Sequence, residues 1–198
     1  MNQPLGHAAG HTTEVIESIE CLKGRGPTDL MEVIYALASH MLILGGVAND
    51  EAEARQKMET AIKNGSALQK FRDMCAAQGG DPKVIDDYGL LPTARTLLEI
   101  KAPADAEGFI CEVDALKCGQ AIMALGGGRV SLTDTVDHAV GIADLVKIGD
   151  PVTPGMRLCT LHINDDAKGT RAEALIRDAI KFTSAPPTPE PIVQDLIQ

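Results

Sequence analysis

The sequence has no tryptophan, and only two tyrosines and three phenylalanines among 198 residues. Its core must therefore be built from Leu, Ile, Val, Ala and Met. It also lacks any apolar run long enough to cross a bilayer. The first residues, MNQPLGHAAGH, have neither the basic start nor the apolar stretch of a secretory signal. Those absences point to a cytoplasmic protein with no membrane partner. Positive charge is scarce: 18 Lys and Arg against 28 Asp and Glu leave a net charge of −10. Such a surface repels nucleic acid and anionic lipid, so nucleic acid is not expected as a partner. The five cysteines are odd in number and widely spaced, with no CxxC among them. That pattern fits free thiols in a reducing compartment. Cys111 and Cys118 with His138 and His162 lack the close paired spacing of a zinc site.

Several chemical motifs are missing as well. The stretch LGGGR at 125–129 invites a phosphate-loop reading, but a P-loop needs Lys-Ser or Lys-Thr after its last glycine and a helix behind it. Here Arg129 is followed by VSLTDT. No GxGxxG follows a strand, so a dinucleotide fingerprint fails too. Spacing alone makes LGGGR a flexible turn. No Ser-His-Asp or Cys-His nucleophile can be assembled. His7 and His11 lie at helical spacing and read as solvated or capping residues, and His138 beside Asp137 is placed for a local hydrogen bond. Glu14, Glu17 and Glu20 read, on spacing, as a solvated helix face near a positive helix end.

What is present divides in two. Apolar residues make up 44% of the chain, enough for a core of useful size. The first part is helical in period. Thr12 or Thr13 is expected to cap a helix over 14–22, with Val15, Ile16, Ile19 and Leu22 on one face. Pro27 opens a longer helix on Leu30, Val33, Ile34, Leu37, Met41 and Leu44. Met31, Tyr35, Ala38 and Leu42 widen its stripe, which predicts burial on more than one side, and Gly45-Gly46 ends it. Asp50 and Glu53 have capping-pair spacing ahead of a third helix. A fourth, SALQKFRDMCAAQGG, turns Leu68, Phe71 and Met74 or Cys75 inward. The stretch 81–100 reads as a connector. Beyond it, Phe109, Cys111 and Val113 alternate as in a strand. A glycine-rich turn region follows, and two short strands are expected on either side of GDPVTPG. Thr170 and Glu173 have the spacing of a capping box for a last helix carrying Leu175, Ile176, Ala179 and Ile180. The Pro-rich tail from 185 to 198 is expected to be extended. The domain reading is thus a helical part (1–80), a connector (81–100), a β-rich domain (101–184) and a tail (185–198).

Two resemblances give these segments a context. The pair APADAEGFICEVD and IGDPVTPGMRLCTLH resembles biotinyl and lipoyl carrier domains, although no MKM-like or DKA-like hairpin offers a lysine for attachment. A carrier domain is therefore one alternative. Taken in order, MNQPLG, GHTTEVIESIECLKGRGPTDLMEVIYAL, NGSALQKFRDMCAAQGGDP, APADAEGFI, LGGGR, DTVDHAVGI and KIGDPVTPGMRL resemble the thymidine and pyrimidine-nucleoside phosphorylase family. The match runs unbroken from Met1 to about Thr183, with Gly127 standing where the family usually has alanine.

That resemblance implies an α+β fold: a helical segment of the family's α/β domain, then a β-rich, barrel-sandwich-like C-terminal domain with a closing helix. It implies a pentosyltransferase that uses phosphate as co-substrate to split pyrimidine nucleosides into free base and pentose 1-phosphate, with no organic cofactor. It further implies that the chain starts about halfway along the family's length. A KHSTGG-type phosphate loop and the base-binding Arg, Ser and Lys would lie upstream, and no KHS, GGT or R…SK pattern stands in these residues. No catalytic residue is therefore expected here, and the isolated chain is expected to be inactive. A separately encoded N-terminal half is a candidate partner, which makes a non-catalytic assembly module the other alternative. Bacterial members hold a potassium ion, and its ligands carry over to the carbonyls of Leu5 and Ala8 and the carboxylate of Glu17. Oxygen donors suit such a hard cation. The loop of Gly126, Gly127, Gly128 and Arg129 resembles the family's mobile closure element beside the cleft, with no ligand assigned to Arg129.

Overall fold

A computed structural model describes residues 3–129 and 131–194. Helix dominates the first half of the chain and strand, with two further helices, the second, giving the α+β class expected. The described residues form two compact units. One combines 3–15 with 91–189, and the other combines 16–90 with 190–194. No helix among the described residues is long and apolar enough to cross a membrane.

A two-residue strand, β1 (Ala9–Gly10), leads straight into α1 (His11–Leu22), which runs from one unit into the other. The cap is not a threonine. The helix already begins at His11, Glu14 reaches back to accept the Gly10 N–H at 2.8 Å, and Thr13 Oγ1 donates to the Ala9 carbonyl at 3.1 Å. A glutamate near the helix start accepts a free N–H as well as a cap hydroxyl does, and it favours the positive helix end.

Three more helices follow: α2 (Thr28–Leu44), α3 (Glu51–Lys63) and α4 (Ser66–Ala77). Pro27 and Gly45 bound α2 as the sequence predicts. The Asp50 carboxylate accepts the Glu53 N–H at 2.8 Å to cap α3, also as predicted. On α4, Leu68, Phe71 and Cys75 are half-buried while Met74 is exposed, which settles the choice between the last two. Residues 96–100 of the expected connector are strand rather than connector, and its earlier part holds two 3-10 turns, Pro82–Ile85 and Tyr88–Leu90. Lys23 Nζ ties them to the end of α1 by donating to the Ile85 carbonyl at 2.8 Å and to Tyr88 Oη at 3.0 Å, and the Tyr88 hydroxyl donates to Glu20. One expectation for this unit is overturned. The apolar stripe of α2 is not buried on several sides, for Ser39 is its only buried residue. Periodicity reports which side chains are apolar, not what lies against them.

The other unit holds the main core. Its strands are β2 (Thr96–Lys101), β3 (Gly108–Val113), β4 (Gly141–Ala143), β5 (Pro151–Val152), β6 (Arg157–Ile163) and β7 (Ile180–Thr183), with helices α5 (Ala115–Leu125) and α6 (Asp166–Ala179). One sheet has the order β1-β4-β6-β2 and the other β5-β3-β7, and every pairing is antiparallel. The barrel-like expectation is corrected to two open sheets. Edge strands of two residues, β1 and β5, are too short to carry either sheet round to closure. Ile110, Val113, Ile142, Leu145, Leu161 and Ile176 are fully or almost fully buried between these elements.

Three local expectations change here. The segment after β3 is a helix, not a glycine-rich turn: Asp114 caps α5 by accepting the N–H of Leu116 at 2.9 Å and of Lys117 at 3.1 Å, and Gly126 ends it. On α6 the cap is Asp165, accepting the Lys168 N–H at 2.9 Å, while Thr170 lies inside the helix and bonds the Asp166 carbonyl. Ile180 belongs to β7, which continues from α6 without a loop. Of the two strands expected beside GDPVTPG, one follows it as β6, while β5 lies inside the motif. The tail to Gln194 forms neither helix nor strand, and residues 195–198 lie outside the described residues.

Burial sorts the cysteines. Cys21, Cys118 and Cys159 are buried, and loss of water around them pushes their thiols from an ordinary 9.0 up to about 11, about 11 and about 12. Cys75 and Cys111 are only half-buried. Iodoacetamide at mildly alkaline pH is expected to alkylate Cys75 and Cys111 first, with peptide mass mapping as the check. The folded state holds the three buried protons more tightly than the unfolded chain does. Stability is therefore undiminished below the ordinary thiol value of 9.0 and declines as pH climbs toward 12.

Candidate functional site

The residues singled out in the sequence fall on two short segments and one helix. The first segment precedes β1. There the Lys147 ammonium donates to the Gly6 carbonyl at 2.9 Å and also to that of Pro4. The Leu145 N–H donates to the His7 carbonyl at 2.9 Å, and His7 Nδ1 in turn lies 2.8 Å from the Leu145 carbonyl. Gln3 Oε1 accepts the Ile148 N–H at 2.9 Å. Leu5 and Ala8 sit, half-buried, on this pinned backbone. Glu17 lies on α1 and is also half-buried. None of these ties reads in the local sequence. Lys147 is 141 residues from Gly6, and a lone lysine before IGD gives no sign of what it will bind.

The second segment is the triglycine loop. Gly126 adopts a left-handed conformation at the end of α5, with φ of 97°. Its carbonyl accepts the Asp137 N–H at 2.9 Å. The Gly127 N–H donates to the Ile122 carbonyl at 2.9 Å, and its own carbonyl accepts from His11 Nε2 at 2.9 Å. The His11 and His138 rings meet edge to face, 4.6 Å apart. Asp137 is held from the other side by Asn164 Nδ2 at 2.8 Å. His11 is thus neither merely solvated nor a cap; it fixes the loop to the start of α1. Gly127 is buried against Ile122 and Val140, where an added methyl would come within 2.7 Å and 3.3 Å of their side chains. Alanine, the residue the resemblance leads one to expect at 127, would need those side chains to shift. Arg129 is exposed.

A glycine pair joins the first segment to β4. Gly10 and Gly141 are paired across β1 and β4, and a Cβ on Gly10 would lie 2.8 Å from the Gly141 Cα. Only two glycines allow the backbones to approach this closely. The pair therefore sets where α1 starts, and with it the position of His11 against the loop.

In the helical unit a cavity of about 440 Å³ is lined by Gly26, Glu32, Tyr35 and Arg55, among others. Arg55 lies over the Tyr35 ring at 4.4 Å and is paired with Glu59 at 2.8 Å. With Glu32 on the same wall, the cavity has no excess of positive charge to hold a phosphate dianion. No cluster of three or more His, Cys, Asp or Glu placed to hold a metal occurs among the described residues.

Residues 109–183, which run from the second residue of β3 to the end of β7, match the pyrimidine nucleoside phosphorylase C-terminal domain. The chain is 45% identical over 172 residues to the pyrimidine-nucleoside phosphorylase of Geobacillus stearothermophilus, covering 85% of this chain and 39% of that protein. It is 45% identical over 164 residues to the enzyme of the same name from Bacillus subtilis strain 168, covering 83% of this chain and 37% of that protein. The chain thus spans well under half the length of the curated relatives it matches. On these sequence matches the chain belongs to the pyrimidine-nucleoside phosphorylase family and corresponds to its C-terminal portion.

Proposed function

We propose that this chain supplies the C-terminal portion of a pyrimidine-nucleoside phosphorylase and does not turn over nucleoside by itself. The observation that carries the reading is 45% identity to pyrimidine-nucleoside phosphorylases across 85% of the chain. In the reaction a phosphate oxygen attacks the anomeric carbon of the sugar. The C–N bond breaks, and its electron pair leaves with the base, which takes up a proton. A protein helps chiefly by holding the phosphate dianion and by stabilising charge on the departing base. The groups that the family resemblance gives those tasks, a KHSTGG-type loop and a base-binding Arg, Ser and Lys, do not occur in these 198 residues as the family's motifs. In this reading the chain contributes closure and support. Gly126 to Arg129 form the closure element, and His11 holds that loop at its root. Potassium fits the hard oxygen donors that the resemblance assigns, the carbonyls of Leu5 and Ala8 and the carboxylate of Glu17.

Phosphorolysis of thymidine and uridine tests the reading. The purified chain is expected to release no base above the blank. The same chain, co-expressed with the portion of a related phosphorylase that lies outside the matched span, is expected to gain phosphate-dependent base release. Turnover by the 198 residues alone would refute the proposal, as would a well-formed complex that stays inactive.

A further inference from the structure

The helical unit leaves one face without a covering. On α2, Ile34, Leu37, Met41 and Leu44 follow each other at spacings of three and four, so they share one side of the helix. They are 37%, 64%, 72% and 88% exposed, and Val47, just beyond the helix end, is 53% exposed. From Val33 to Leu44 the helix carries no Asp, Glu, Lys or Arg.

The other helices of the unit show what a solvated face looks like here. On α3, Glu53 pairs with Lys57 at 2.7 Å and Arg55 with Glu59 at 2.8 Å; on α4, Lys70 pairs with Asp73 at 3.9 Å. Their outward sides are built for water and that of α2 is not. A contiguous apolar patch without charges marks a contact surface.

We infer that this face of α2 is the seat of the phosphorylase portion outside the span of this chain, whether joined to it or made separately. The inference rests on the family reading above. The relatives argue for this occupant. An alignment covering 85% of the chain takes in the exposed half of α2 wherever it starts, and that alignment fills only 39% of the relative. The same helix therefore sits, in the relatives, inside a polypeptide whose greater part lies beyond the match. A stripe spaced like this one fits an amphipathic helix or a sheet face of that remaining polypeptide. A second copy of this chain is the competing occupant.

The test is co-expression of the chain with the tagged, unmatched portion of one relative, followed by capture on the tag. Wild-type chain is expected to be captured in equimolar amount. Leu37→Asp and Leu44→Asp are expected to cut capture at least tenfold while leaving the helical circular dichroism unchanged, since both side chains already face solvent. Leu116→Asp, which alters a residue 71% exposed on α5, is expected to leave capture intact. Equal capture of wild type and both α2 variants would overturn the inference. So would failure to capture wild type, or a tagged portion that stays insoluble beside it, because the inference requires the two to cover each other. A wild-type chain that is dimeric alone and monomeric as Leu44→Asp would assign the face to a second copy instead. Phosphorolysis on the same samples separates this result from the functional reading. A captured but inactive complex sinks the catalytic assignment and leaves the surface standing; activity untouched by the α2 variants does the reverse.

Discussion

Gly108→Ala is expected to lower the stability of the β-rich unit by about 4 kcal/mol, placing it among the rare severe single substitutions. Gly108 opens β3 with φ of +116°, a conformation that a side chain strongly disfavours. A Cβ there would lie 2.1 Å from the Thr183 carbonyl oxygen and 3.1 Å from the Ser184 Cα. Both obstacles are backbone, so no rotamer change relieves them. β3 is the middle strand of its sheet, paired to β5 through Gly108–Val152 and to β7 through Phe109–Thr183. Moving it disturbs both neighbours together. Thermal unfolding followed by circular dichroism checks this, with a fall in Tm of roughly 10–20 °C expected. Gly155→Ala is the control. Gly155 also has positive φ, +74°, but nothing lies within 4 Å of its added Cβ, so its cost is about 1 kcal/mol. Equal effects from the two variants would show that β3 and β7 are not in this register.

The second large effect belongs to Leu161. It lies in β6, an interior strand flanked by β4 and β2, opposite Ile142 on one side and Leu98 on the other. Leu161 and Ile142 are fully buried. Truncation to alanine removes the transfer energy of the lost methyl groups and leaves a void that flanking strands cannot close, for a loss of about 3 kcal/mol. Leu97→Ala, one residue along in β2 and 60% exposed, is expected to stay within about 0.5 kcal/mol of wild type. Urea titration of both variants gives the comparison. A Leu161→Ala midpoint close to that of Leu97→Ala would place the core elsewhere.

The sequence carried the helical half well because its boundaries are marked locally. Pro27, Gly45 and the Asp50–Glu53 pair each act within one turn of the helix end they define. The alternation at Phe109, Cys111 and Val113 marked β3 as a strand, but a register shift after Ile110 buries Ile110 and Val113 and leaves Phe109 and Cys111 half-buried. Elsewhere the local signals misled. The run ALKCGQAIMAL is followed by three glycines that drew attention from the aspartate preceding it, so α5 went unread. Thr170 and Glu173 satisfied a capping pattern, yet Asp165 lay earlier and capped the helix by accepting the Lys168 N–H. The join of α6 to β7 has no turn residue to betray it.

The contacts around the candidate site residues are not legible in the sequence. The resemblance assigns Leu5, Ala8, Glu17 and the triglycine loop. It did not supply His11 bonding to Gly127, Lys147 holding the backbone around Leu5, or Gly10 meeting Gly141. Those partners stand more than a hundred residues apart.

The sequence by itself determined the α+β division and most helix ends. Each follows from composition or from residues within a few positions of one another, where propensity, capping and periodicity act. Only the tertiary structure decided which apolar side chains lie inside. It buried Leu161 and left Leu44 bare, though both are leucines in strongly periodic segments. Burial depends on what the rest of the chain brings against a residue, and no local pattern encodes that.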